Sequence, residues 1–285
     1  MYSCFDCSIA FGKLEGVKKL DGKELSEFIT ERQARQVRAL RQASHVAPKL
    51  AIIQTIDDPV IDMYVRLKRA YGEDILIDVD VHKVAQSELL MTVATLNKDD
   101  SVHGIIIQLP LADPTETDEA VNAVLPAKDV DGLGDNAILT PATATAIDWL
   151  LAGYNIELRG RPIAIVGNGR LVGEPLAALW ATAGLDITVY DDSTEDLTNE
   201  LRKAQIIVTA TGVPGLITSQ MVQPGAVIVD AGTASENGKL VGDVSDELRE
   251  REDLTITPKK GGVGPLTVAA LFDNVIQAAR ATVQE

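Results

Sequence analysis

Ile163-Ala164-Ile165-Val166 runs directly into Gly167-Asn168-Gly169-Arg170-Leu171-Val172-Gly173, and this stretch decides the fold. Four apolar residues before a glycine turn read as a buried strand, and the apolar spacing from Leu171 to Ala183 reads as a helix leaving the turn. Glycine there lets backbone N–H groups approach a pyrophosphate at a helix N-terminus. The spacing is Gly-x-Gly-x-x-x-Gly, one residue longer than the usual dinucleotide fingerprint, so the neighbours must carry the assignment. A second strand, Asp186–Tyr190, ends in Asp191-Asp192, which stand 24 and 25 residues beyond Gly167. A carboxylate there accepts hydrogen bonds from adenosine ribose hydroxyls. The same acids repel the 2′-phosphate of NADP, and Arg170 is the only basic residue in the turn. The expected cofactor is NAD or NADP, with NAD favoured.

The same alternation extends in both directions. Downstream come a helix over Glu195–Ala204, strands over Gln205–Ala210 and Ala226–Ala231, a glycine-rich loop at Gly261–Pro265 and a final helix over Leu266–Val283. Upstream, Asp21 caps a helix running to about Ala43, with Glu24 three residues on. Strands are expected at Lys49–Gln54, Ile75–Val79 and His103–Leu109, separated by helices at Pro59–Tyr71 and Gln86–Asn97. A connecting helix at Thr140–Ala152 is followed by a polar, turn-rich stretch, Asn155–Arg161. Strand–helix alternation with apolar strands implies parallel sheets covered by helices. The fold class is therefore α/β with two domains, an N-terminal parallel-sheet catalytic domain and a C-terminal Rossmann-type domain. The expected division is an N-terminal extension at 1–18, a first domain at 19–150 completed by the helix 266–285, and a dinucleotide domain at 151–265.

Bulk properties narrow the function classes. The 285 residues suffice for two cores, and an aromatic content of only 4% means those cores are aliphatic. A net charge of −16 opposes nucleic acid and anionic membrane surfaces. No apolar run is long enough to span a bilayer, and the N-terminus lacks the basic start and apolar stretch of a secretory signal. A cytoplasmic location is expected. Cys4 and Cys7 form a lone Cys-x-x-C without the further ligands a zinc site needs, so no metal is expected.

The first half carries scattered polar signals. Tyr64 and Lys68 are four residues apart and share one helix face. Gln108-Leu109-Pro110-Leu111 ends a strand, where parallel sheets place their crevices. Lys128-Asp129-Val130-Asp131-Gly132 is a turn with two acids. Each feature alone is ordinary for a structural surface.

Taken with Val172-Gly173-x-Pro175 and Gly261-Gly262-Val263-Gly264-Pro265-Leu266-Thr267, these segments occur in an order that resembles the FolD family. Its members are bifunctional methylenetetrahydrofolate dehydrogenase/methenyltetrahydrofolate cyclohydrolases. The resemblance runs from about Lys19 to the C-terminus. It implies a tetrahydrofolate substrate in a cleft between the domains, a final helix packed back on the first domain, and a homodimer. Lys68 is then the catalytic lysine, Gln108 its hydrogen-bonding partner, and Asp131 the acid holding the pterin's amino edge. Tyr64 flanks the pterin, with Leu109, Pro110, Gly262, Pro265 and Thr267 also on the substrate. The cofactor falls to Gly167, Asn168, Gly169, Arg170, Val172, Gly173, Asp191, Asp192, Thr211, Gly212 and Thr233. A carboxylate accepts two neighbouring N–H groups at once. A lysine whose pKa is lowered by burial suits the proton transfer that methenyl hydrolysis needs. His45, His82 and His103 lie outside these segments.

Several positions depart from the family pattern. Ile61 stands where a serine is usual, and Pro141–Ala146 lacks the usual cysteine. Gly167-Asn168-Gly169 replaces Gly-Arg-Ser, and Asp191-Asp192 replaces His-Ser, so groups that commonly hold the NADP phosphate are missing. Lys259-Lys260 replaces Val-Pro and adds positive charge beside the expected folate cleft, either to attract a glutamate tail or as a solvated pair. The expected function is oxidation of 5,10-methylenetetrahydrofolate and hydrolysis of the methenyl product to 10-formyltetrahydrofolate. The alternatives are a dehydrogenase with weak or no cyclohydrolase activity, a dehydrogenase of shikimate or amino-acid type, and a catalytically silent folate- or dinucleotide-binding regulator.

Overall fold

The computed structural model of the chain describes residues 19–236 and 239–283. Cys4 and Cys7 lie outside the described residues. The elements alternate in two series. The first contains α1 (Gly22–Ala39), β1 (Lys49–Gln54), α2 (Pro59–Ile75), β2 (Asp78–Lys83), α3 (Leu89–Asn97), β3 (Gly104–Ile107) and α4 (Thr117–Asn122). After α5 (Ala142–Gly153) come β4 (Ile163–Val166), α6 (Gly173–Thr182), β5 (Ile187–Tyr190), α7 (Leu197–Leu201), β6 (Ile206–Thr209) and β7 (Val227–Asp230). A hairpin of β8 (Ala234–Glu236) and β9 (Lys239–Val241) follows, then α8 (Asp246–Arg249), β10 (Thr255–Ile256) and α9 (Val263–Ala281).

The first sheet has the order β2-β1-β3 and the second β10-β7-β6-β4-β5, with every pair in both parallel. Alternate residues of β1 serve opposite faces, as the pleat requires. Leu50 and Ile52 join a core with α1, α2, α5 and α9, whereas Ala51 and Ile53 pack with Leu89, Val93 and Leu96 of α3. The larger core continues into the second sheet through Ile163, Ile165, Leu176 and Trp180. Trp180 Nε1 donates to Asp148 Oδ1 at 3.0 Å, joining α6 to α5. The last helix, α9, packs on α1, α2, α5 and the first sheet although it follows the second sheet in the chain.

Local signals explain most boundaries. Asp21 caps α1 by accepting from the N–H groups of Lys23 and Glu24. Asp58 does the same for α2, with Pro59 in the first turn, where its missing N–H costs nothing. Pro265 is likewise tolerated in the first turn of α9, which starts three residues earlier than the sequence predicts. Helix α1 is shorter than expected, because Leu40–Ser44 forms a wider π-turn closed by left-handed His45.

The expected strand at Ile75–Val79 is misplaced. Helix α2 runs through Ile75, and left-handed Leu76 ends it before β2 begins at Asp78. Strand β2 lies at the edge of its sheet, so Asp78, Asp80 and Lys83 face outward and mask the short apolar run that a buried strand would show. Helix α6 begins two residues later than predicted, at Gly173, because Val172 has φ −138° and is not helical. The hairpin β8–β9, the two-residue β10 and the one-turn α4 and α8 lack a readable period and were not predicted.

Candidate active site

Gln108 follows β3 and the glycine turn follows β4, both at the carboxyl ends of parallel strands, where α/β proteins place their ligand sites. Helix α2 presents Tyr64 and Lys68 on one face. Lys68 Nζ donates to Gln108 Oε1 at 2.8 Å. Gln108 directly follows β3 and is held there by its own N–H, which donates to Ile53 O at 2.8 Å. Its amide nitrogen donates to Leu109 O at 3.1 Å, leaving the side-chain oxygen turned to the lysine. The Leu109–Pro110 peptide is cis. Burial lowers the Lys68 pKa, and the nearby Asp131 carboxylate partly offsets that by favouring the ammonium. Burial raises the Asp131 pKa against the opposing pull of Lys68, and it raises that of the Tyr64 phenol as well.

The two acids of the Lys128–Gly132 turn have different jobs. Lys128 O accepts from Ile105 N at 2.8 Å, which lays the turn alongside β3. Asp129, 4% exposed, points back into it and accepts from Gly132 N and Gly134 N, each at 2.9 Å. Asp131 is the acid that lies within electrostatic reach of Lys68. Lys128 points away, donating to Leu96 O at 3.1 Å and Asp99 O at 2.7 Å. Sequence reasoning did not find Asn274 of α9, 5% exposed, whose Nδ2 donates to Val130 O at 2.9 Å and Thr140 O at 3.0 Å. It braces the backbone on either side of Asp131, and a polar residue on an otherwise apolar helix face was its one signal. Gly262 and Pro265 open α9, where Gly262 packs against Gly22 at the start of α1, and Thr267 Oγ1 donates to Val263 O of its own helix at 3.3 Å.

The glycine turn of the second sheet is built by contact. Gly167 has φ 98°, in the region glycine alone enters freely. A Cβ on Gly173 would lie 1.8 Å from Gly167 O, so the third glycine meets the first despite the longer spacing. Gly169 is different: a Cβ there would meet nothing within 4 Å among the described residues. Gly169 O accepts from Val172 N and Glu174 N, both at 3.2 Å, and this closes the turn onto α6. Asn168 and Arg170 are exposed. The Arg170 guanidinium forms an ion pair with Asp118 of α4, tying the turn to the first domain. Asp191, one residue past β5, accepts from Ser193 N at 3.0 Å and Ser193 Oγ at 2.6 Å through one oxygen. Those bonds hold its carboxyl pKa down. Asp192 is exposed beside it. Thr211 and Gly212 follow β6. A Cβ on Gly212, whose φ is 69°, would lie 3.5 Å from Thr233 O after β7.

Lys259 is occupied elsewhere, its Nζ 2.7 Å from Asp246 Oδ1. Lys260 is exposed next to Gly261. No group of three or more His, Cys, Asp or Glu among the described residues is arranged to hold a metal, and no helix among them is long and apolar enough to cross a membrane.

Comparison with known proteins bears on both halves. Residues 20–131 match the model of the tetrahydrofolate dehydrogenase/cyclohydrolase catalytic domain, and residues 141–283 that of the NAD(P)-binding domain. The bifunctional protein FolD of Lactobacillus acidophilus is 37% identical over 276 residues, spanning 92% of this chain and 97% of that protein. The crystal structure of the bifunctional FolD of Campylobacter jejuni superposes with a TM-score of 0.86 at 36% identity, covering 92% of this chain and 98% of that one. The Trypanosoma brucei enzyme, solved with NADP and an inhibitor, gives 0.87 at 30% identity, covering 94% and 98%.

Proposed function

Because the chain belongs to the tetrahydrofolate dehydrogenase/cyclohydrolase family, we propose roles for its individual residues in an activity that the family establishes. The enzyme oxidises 5,10-methylenetetrahydrofolate with NAD(P) and hydrolyses the methenyl product to 10-formyltetrahydrofolate. The observation that carries the assignment is the Lys68–Gln108 hydrogen bond, with Asp131 beside it, at the mouth of the first sheet.

The positive Gly167 backbone, the close Gly167–Gly173 contact and the open space at Gly169 fit a dinucleotide whose pyrophosphate sits on the turn. Gly167, Asn168, Gly169, Arg170, Val172 and Gly173 would hold that part, and Thr211, Gly212 and Thr233 the nicotinamide half. The nicotinamide, when bound, supplies the two-electron acceptor. NAD is the preferred form. Asp191 presents a carboxylate with one oxygen tied by Ser193, and Arg170 is already paired with Asp118. The crevice therefore offers acid and no free basic side chain on the turn to a 2′-phosphate.

On the folate side, Asp131 accepts from the pterin's amino edge while Tyr64, Leu109, Pro110, Gly262, Pro265 and Thr267 line the ring and its arm. Hydrolysis needs a base. Lys68, its ammonium disfavoured by burial, takes a proton from the water that attacks the methenyl carbon, and Gln108 aims the amine. The carbon–N5 bond then breaks as N5 is protonated and the formyl group stays on N10. The chain divides for this work into residues 19–150 with the last helix, and 151–265. A homodimer in the cytoplasm completes the proposal, tested by light scattering and cell fractionation.

Methenyltetrahydrofolate absorbance, followed after mixing the protein with methylenetetrahydrofolate and either dinucleotide, tests the whole. Accumulation and then decay of the signal, faster with NAD, is expected. No signal with either dinucleotide would leave the residue roles without a reaction.

A further inference from the structure

Strand β6 ends at Thr209, and Ala210-Thr211-Gly212 then runs along the carboxyl edge of the second sheet beneath the glycine turn. The two segments touch. A Cβ on Gly167 would lie 2.7 Å from Ala210 O and 3.1 Å from Thr211 Cγ2. The height of the turn is therefore set by where Thr209–Thr211 stands.

One side chain sets that segment. Asp243 is wholly buried, and its Oδ2 accepts from Thr209 Oγ1 and from Thr211 N, both at 2.7 Å. It comes from the turn after β9, which sequence patterns did not mark. Its own N–H donates at 3.1 Å to Asp230 Oδ1, at the end of β7. Asp230 also accepts from Gly232 N at 3.1 Å, from Val244 N at 3.2 Å and from the Arg249 guanidinium. The loop after β7 is shaped around the same group, since a Cβ on Gly232 would fall 2.0 Å from Asp243 Oδ1. Asp243 Oδ1 itself is buried and finds no hydrogen-bond partner among the described residues. A carboxylate kept so far from water is costly unless it is well bonded. Here its bonds go to the segment that touches the glycine turn.

We infer that Asp243 is a positioning residue for the dinucleotide half of the reaction. It holds Thr211 directly and Gly167 through Ala210, without itself touching the cofactor. It acts so only if, as proposed above, the Gly167 turn and Thr211 hold the dinucleotide. The two activities separate this role from general support, because methenyl hydrolysis on Lys68 needs no dinucleotide.

The test uses the full chain with Thr209→Val, Asp243→Ala, Asp243→Asn and Gly167→Ala, measuring the dinucleotide KM and the cyclohydrolase kcat/KM of each. Removing one of the hydrogen bonds to this buried carboxyl group is expected to raise the dinucleotide KM about tenfold in Thr209→Val, and further in Asp243→Ala. Asp243→Asn, whose amide oxygen still accepts both donors, should recover most of the loss. Cyclohydrolase kcat/KM of Thr209→Val, which keeps the side-chain shape, should stay at the parental value. An unchanged dinucleotide KM in Thr209→Val and Asp243→Ala, or an equal fall of both activities in Thr209→Val, overturns the inference. If Gly167→Ala raises the dinucleotide KM while Thr209→Val does not, only the positioning role is lost. If Gly167→Ala leaves it unchanged, the assignment of the turn fails and the inference fails with it.

Discussion

Lys68 Nζ and Gln108 Oε1 stand 2.8 Å apart, joining the middle of α2 to the residue that follows β3. Asp131 lies within electrostatic reach of the pair, and its carboxylate favours the ammonium form of Lys68 while burial favours the neutral amine. Replacing Lys68 by methionine keeps the bulk and removes the base. Cyclohydrolase kcat is expected to fall by about 100-fold or more, with the dinucleotide KM unchanged. Parental hydrolysis of methenyltetrahydrofolate by this variant would remove Lys68 from the reaction.

The same electrostatics set a pH dependence. Hydrolysis should rise with pH as Lys68 becomes neutral, with a midpoint below the ordinary lysine range because burial lowers its pKa. Asp131 opposes that shift, so Asp131→Asn should move the midpoint of the kcat profile to still lower pH, besides weakening substrate binding. A midpoint that stays put, or moves up, would show that Asp131 and Lys68 are not electrostatically coupled.

The proposed preference for NAD is tested at two carboxylates. Asp191→Ser removes charge from the end of β5, and Asp118→Asn releases Arg170 from its ion pair. Each should raise kcat/KM for NADP relative to NAD, by about tenfold for the first and less for the exposed pair. Steady-state kinetics with both dinucleotides read the ratio, and an unaltered ratio in both variants would place the discrimination elsewhere.

Asn274 ties α9 to the backbone beside Asp131. Asn274→Leu leaves the carbonyls of Val130 and Thr140 buried without their donor, at a cost of about 1–3 kcal/mol each. A lower Tm and a raised folate KM in both activities are expected, with the dinucleotide KM unmoved. Parental folate KM in a destabilised variant would limit Asn274 to stability.

Tyr71 reports on the junction of α1, α2 and α9. Its hydroxyl donates to Gln33 Oε1 at 2.7 Å, and burial pushes its pKa up to about 12. The folded hydroxyl thus stays protonated where the unfolded one ionises. The associated stability is complete below about pH 10 and is lost between there and pH 12, by ~1.4 kcal/mol per unit. Tyr71→Phe should be about 1 kcal/mol less stable at neutral pH and should show a smaller alkaline loss than the parent. Denaturant melts at pH 8 and pH 11 distinguish the two, and an identical alkaline loss in Tyr71→Phe would contradict the assignment.

The sequence by itself determined the α/β alternation, the Gly167–Gly173 turn and the set of segments that mark the family. These are local quantities. Burial on one face imposes a period, a helix start needs a cap such as Asp21, and a tight turn needs glycine at a positive φ. Strand β2 was placed three residues too early because an edge strand spends half its residues on water, and the short elements escaped because they hold too few residues for a period. The folded structure decided that Asp129 braces the Lys128–Gly132 turn, while Asp131, already marked by the family resemblance, lies within electrostatic reach of Lys68. It also decided that Arg170 is paired with Asp118, that Asp243 bonds Thr209 and Thr211, and that Asn274 bonds the carbonyls of Val130 and Thr140. A polar side chain's role is set by its partner. Thr211 and Asp243 are 32 residues apart in the chain, Val130 and Asn274 144 apart, and only packing brings such pairs within hydrogen-bonding distance.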